Sequence, residues 1–129
     1  MRIELPWKTP TINHLYGQHG KVKYLKPEAK GLREEIKKII FRMDLSDMHD
    51  KDSHLQVHVQ VLEDWYCKNG TVKRKDVSNR EKFLIDSVFE ALDLDDKMIF
   101  KHTMEKIQSD HEGCIIDITK YNTEDTNGN

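Results

Sequence analysis

Between residues 55 and 61 the chain alternates without a break. Leu55, Val57, Val59 and Val61 fall on one side, and Gln56, His58 and Gln60 on the other. A period of two marks a half-buried strand, with His58 on its polar face. Residues 27–43 change period: Leu32, Ile36, Ile39, Ile40 and Met43 recur at three- and four-residue steps, which predicts a helix. Pro27 suits its first turn, where the missing N–H is not needed. A second helix is expected over roughly 78–92, burying Ile85, Val88, Phe89 and Leu92, with Ser78 as N-cap. Met1–Leu5 reads as a short strand stopped by Pro6, residues 8–20 as a loop, and 21–25 as another short strand. Residues 44–53 form a polar break. Asn69-Gly70 predicts a two-residue hairpin turn, which by counting outward sets Glu63 opposite Asp76. Met98–Gln108 reads as a strand, with residues 113–121 as its hairpin partner. The sum is a single mixed α/β (α+β) domain over residues 1–121, two main helices packed on a largely antiparallel sheet. A polar tail follows at 122–129.

Composition adds two expectations. At 129 residues the chain holds one core, and 36% hydrophobic against 34% charged residues leaves that core short of apolar surface, which favours a homodimer. The net charge of −2 carries no general signal for DNA, but its distribution does. Lys21, Lys23, Lys26 and Lys30 form one basic stretch, Lys68, Lys73, Arg74 and Lys75 another, while acid collects at 44–52 and 93–96. Cys67 and Cys114 read as separate reduced thiols, and the histidines follow no zinc-binding spacing. No apolar run is long enough for a membrane and no signal peptide is visible, so the expected location is cytoplasmic.

The candidate chemistry lies around the second helix. Asn79, Lys82 and Asp86 share one stripe opposite its apolar face. Asp76 lies just before the helix, and Asp93, Asp95 and Asp96 just beyond it. Acid at a helix C-terminus opposes the macrodipole at a cost of a few tenths of a kcal/mol per charge. Two readings suit the pattern. One is a solvated helix with an acidic turn. The other is a set of hard oxygen ligands for Mg²⁺ or Mn²⁺ (Asp76, Asp95, Asp96) with Lys82 offsetting charge on a phosphate.

The stretch "DVSNREKFLIDSVFEALDLDD" resembles the core motif of RusA-type Holliday junction resolvases, a D-x-D-N-x-x-K helix start followed by an aspartate and later a DD pair. "IELPWKTPTINHLYG" is similar to that family's opening strand, proline-containing turn and Asn-aromatic segment, so the resemblance spans residues 1–121. It implies a small homodimeric, Mg²⁺-dependent endodeoxyribonuclease that binds a four-way DNA junction and makes paired symmetric nicks. Carried over residue by residue, Asp76, Lys82, Asp95 and Asp96 are catalytic, and Asp76, Asp95 and Asp96 hold the metal. Asn79 and Asp86 support them.

One position departs from the motif. Ser78 stands where the family has its second aspartate, and a hydroxyl is a neutral, weaker ligand for a hard cation. Ser78 itself, or Glu63 if the hairpin register brings it to Asp76, are the substitute ligands. DNA contact is expected from Asn13, Tyr16, Lys21, Lys23, Lys26, Lys73, Arg74 and Lys75, with Trp65 and Tyr66 as candidate wedges at the branch point. The alternative is a catalytically weak or inactive branched-DNA-binding protein of the same fold.

Overall fold

The computed structural model describes residues 1–8, 16–45, 52–75 and 78–122. The elements run β1 (Arg2–Leu5), β2 (Tyr16–His19), β3 (Val22–Leu25), α1 (Pro27–Phe41), β4 (Leu55–Glu63), α2 (Ser78–Leu92), a 3-10 turn (Asp96–Met98), β5 (Ile99–Gln108) and β6 (Gly113–Lys120). The expected α+β architecture forms, with a four-stranded mixed sheet ordered β1-β6-β4-β5 and a two-stranded sheet of β2 and β3.

Strand β4 behaves as its alternation demands. Leu55, Val57, Val59 and Val61 are buried in one core with Ile36 and Ile40 of α1, Leu84, Val88 and Phe89 of α2, and Ile116 and Ile118 of β6. The other face of the sheet is polar and half-open. One row crosses all four strands on it, from Arg2 through Asp117 and His58 to Thr103. Arg2 donates to Asp117 at 2.9 Å, and His58 meets Thr103 at 2.6 Å and Glu105 at 3.2 Å. His58 is thus part of a hydrogen-bonded sheet surface.

Four expectations change. Residues 16–19, read as loop, form β2 and pair with β3 as an antiparallel hairpin. Its polar, glycine-containing sequence hid the strand. The Tyr24 ring lies across Gly17 so closely that a β-carbon there would collide with it. Second, β5 and β6 are not hairpin partners. Strand β4 lies between them, parallel to β5 and antiparallel to β6. Sequence adjacency favoured the hairpin, but α2 connects β4 to β5 as a crossover, which parallel strands require.

Third, the turn at Asn69-Gly70 has a three-residue loop. Gly70 N donates to Cys67 O, Cys67 N donates to Thr71 O, and Gly70 takes φ 87°. This is a type I turn with glycine in the left-handed position, the next commonest hairpin after the two-residue form. Tyr66 therefore pairs with Val72, one step from the expected register. Continued along the strands, that register sets Glu63 opposite Lys75 rather than Asp76. Fourth, α2 is buried beyond its expected face, because Phe83, Leu84 and Ser87 also enter the core.

Arg33 of α1 fixes α2 in place. Its Nε donates to the fully buried Ser87 hydroxyl at 3.3 Å, its NH1 approaches Glu90 at 3.6 Å, and its guanidinium lies over the Phe83 ring.

Candidate active site

The C-terminal end of α2 folds by a rule that normally uses glycine. Leu94 N donates to Phe89 O, Asp93 N donates to Glu90 O, and Asp93 takes φ 55°. These two bonds form a Schellman motif, which usually has glycine at the left-handed position. Leu94 and Phe89, the pair whose apolar contact completes such a motif, both pack with the core. The chain then turns into the 3-10 element, capped by Asp95, whose carboxylate accepts from Lys97 N at 3.0 Å.

This construction opens a concavity of about 600 Å³ lined by Asp52, Asp86, Phe89, Glu90, Asp93, Leu94, Asp95, Asp96, Lys97 and Met98. Six of the ten lining residues are carboxylates and one is a lysine, so the cleft concentrates negative potential and attracts cations. Glu90 is partly offset from outside by Arg33 and by Lys37 at 3.7 Å. Asp95 has Lys97 Nζ at 3.8 Å.

Of the sequence-derived site, Asp86, Asp95 and Asp96 share this concavity. Lys82 is exposed one helical turn before Asp86, on the same stripe. The lining starts at Asp86, about 12 Å along the helix from Ser78. Asp76 and Asn13 lie outside the described residues, as do the side chains of Tyr16, Ser78 and Asn79 and the tail at 123–129. Three lining carboxylates lay outside the predicted set: Asp52, Glu90 and Asp93. Glu90 continues the Lys82–Asp86 stripe by four residues and was findable on a helical wheel. Asp52 arrives from a polar connection with no periodic signal.

An all-carboxylate donor set suits a hard cation such as Mg²⁺ or Mn²⁺ and not a thiophilic metal. Among the described residues no three acidic, histidine or cysteine groups converge as a metal cluster. The donor chemistry of the lining carboxylates fits the ion that the motif implies.

Glu63 sits elsewhere, at the far end of β4. Its side chain is only 4% exposed, and Lys75 Nζ stands 3.6 Å away. A buried carboxylate needs such a counter-charge. Lys73 similarly approaches Asp64 at 3.7 Å, and Asp64 is held below the usual carboxylate range by the Gln108 amide, the Tyr66 N–H and Lys73. Arg74, between them, is exposed. Lys21 and Lys23 are exposed on the β2–β3 hairpin and Lys26 leads into α1. Trp65 is buried, its Nε1 donating to Val61 O and Ile107 O, with Lys106 over its ring. It is therefore a core residue, and the wedge role does not suit it. Tyr66 is exposed.

No helix among the described residues is long and apolar enough to cross a membrane. Compared with known proteins, the chain matches the family model of Endodeoxyribonuclease RusA over residues 6–119. No curated protein matches it significantly.

Proposed function

Because the chain belongs to the RusA endodeoxyribonuclease family, whose members resolve Holliday junctions, we propose that it cuts four-way DNA junctions by metal-dependent phosphodiester hydrolysis. A homodimer makes paired symmetric nicks. The observation that carries this reading is the acidic concavity at the end of the very helix that bears the family motif. Asp76, Asp95 and Asp96 would hold a divalent ion, with Ser78 where the motif has its second aspartate, and that ion when bound would supply Lewis-acid activation of the phosphate and of water. Lys82 offsets negative charge that builds on the phosphate as the bond breaks. Asp86 and Asn79 orient the groups around them. The cations of the β2–β3 hairpin and Arg74 hold the sugar-phosphate backbone, giving strongly salt-dependent binding with little sequence reading. Lys73 and Lys75 divide their charge between DNA and their own carboxylate neighbours. Tyr16, the first residue of β2, and Asn13 add further DNA contacts.

Ser78 favours a second reading, a protein that holds branched DNA without cutting it. One experiment separates the two: a synthetic four-way junction with Mg²⁺ or Mn²⁺, wild type against Asp96→Asn, with linear duplex as control. Paired nicks on the junction by wild type, reduced by about a hundredfold or more in Asp96→Asn while binding persists, establish the nuclease. Junction retention without nicks in either metal establishes the binding protein.

A further inference from the structure

Strand β5 begins with an irregularity. Leu55 pairs with Ile99 and Gln56 pairs with Lys101, so Phe100 has no ladder partner on β4. The extra residue is needed for register. It brings Met104 level with Val59, where it packs on the core, and sets Thr103 and Glu105 against the polar face. The side effect is an aromatic ring at the strand's edge, 56% exposed. Phe100 is not isolated there. The His54 ring stacks on it at 4.1 Å and 7°, and Tyr121 lies 5.8 Å away at 35°. Tyr121 N donates to His54 O, which ties the platform together.

Its position is informative. His54 is two residues from Asp52, and Phe100 two residues from Met98, and both of those line the acidic concavity. Two residues span no more than about 7 Å, so two separate segments tie the platform to the rim of the concavity. Exposed lysines flank it in sequence, Lys101 after Phe100 and Lys120 before Tyr121. An exposed aromatic beside cations, next to a phosphate-cleaving centre, has the chemistry of a base-stacking site, since every nucleobase offers a π-face and the lysines meet its phosphates.

We propose that Phe100, backed by His54 and Tyr121, stacks on an unpaired base at the DNA branch point and so holds the strand beside the acidic site. This rests on the nuclease reading and adds how an open junction is told from closed duplex. The rings need no sequence preference to do it.

The test uses a four-way junction carrying 2-aminopurine at the crossover, a single strand, and linear duplex, titrated with wild type, Phe100→Leu and Phe100→Tyr. Phe100→Leu should bind junction and single strand on the order of tenfold more weakly. It should lose the 2-aminopurine fluorescence change and keep duplex affinity. Phe100→Tyr should restore all three. Thermal melting checks the fold, and if Phe100→Leu melts early, His54→Ala, which removes the ring stacked beneath, must show the same selective loss. Wild-type junction affinity in Phe100→Leu, or equal loss on junction and duplex, overturns the stacking role while wild-type cutting leaves the nuclease reading intact. A wild type that binds no DNA overturns both.

Discussion

The two helices, each of 15 residues, treat their electrostatics in opposite ways. Helix α1 follows the macrodipole: Pro27 opens it, Glu28 lies in its first turn, and Lys38 in its last. Helix α2 has no basic residue in its last turn and runs straight into Asp93, Asp95 and Asp96. It also places a non-glycine residue in the left-handed position of its cap. Each departure costs up to about 1 kcal/mol. A helix that only filled space would gain by losing them. α1 is built as support, and α2 gives up some stability to gather charge at one end, as functional sites commonly do.

The comparison can be broken most severely at Phe89. This residue is buried in the core, lines the concavity and accepts the Leu94 amide in the cap. Phe89→Ala should cost about 3–5 kcal/mol in chemical denaturation and destroy the site with the fold. Uncoupling the helices is the next largest effect. Arg33→Met removes the guanidinium from over Phe83 and from Glu90 and leaves the buried Ser87 hydroxyl without its donor, so a loss of about 1–3 kcal/mol is expected. Asp93→Gly sharpens the contrast because its sign reverses. Relief of the left-handed backbone should raise stability by about 0.5–1 kcal/mol while cutting falls, a gain in melting temperature paired with a loss in activity. Outside both helices, Asp64 provides the smallest effect. Its folded pKa is depressed, so its contribution is present above the ordinary carboxylate range and lost as pH falls through the depressed value. Asp64→Asn should flatten that acid limb slightly, as read from melting curves at stepped pH.

The residues themselves announced some of this. The alternation of β4 and the helical steps of α1 and α2 each depend on neighbours within a few positions, and these elements formed where the periodicity put them. What failed depends on distant pairing. Nothing local to 99–108 or 113–120 reveals that β4 will lie between them, and Asn-Gly serves a three-residue loop as readily as a two-residue one. At the site, the motif pointed to Asp86, Asp95 and Asp96, which share the concavity, and the stripe extended to Glu90. Asp52 was invisible because only the fold brings it there. Phe100 was equally hidden, since it lies four residues before the core-packed Met104 and strict alternation would put both side chains on the same inner face.

Strand β6, sixth in chain order, sits between β1 and β4, and the amino group of Met1 donates to Ile118 O across 117 residues. Synthesis therefore delivers β1, both helices and the β4–β5 pair before the strand that joins them exists. Until residues 113–120 emerge, the apolar β4 keeps one edge unpaired, ready to accept a foreign strand. Such order of contacts makes for slow folding and an aggregation-prone nascent chain. For this protein the decisive folding event is a late insertion, and any block to that one strand leaves the helix that carries the site on a sheet reduced to β4 and β5.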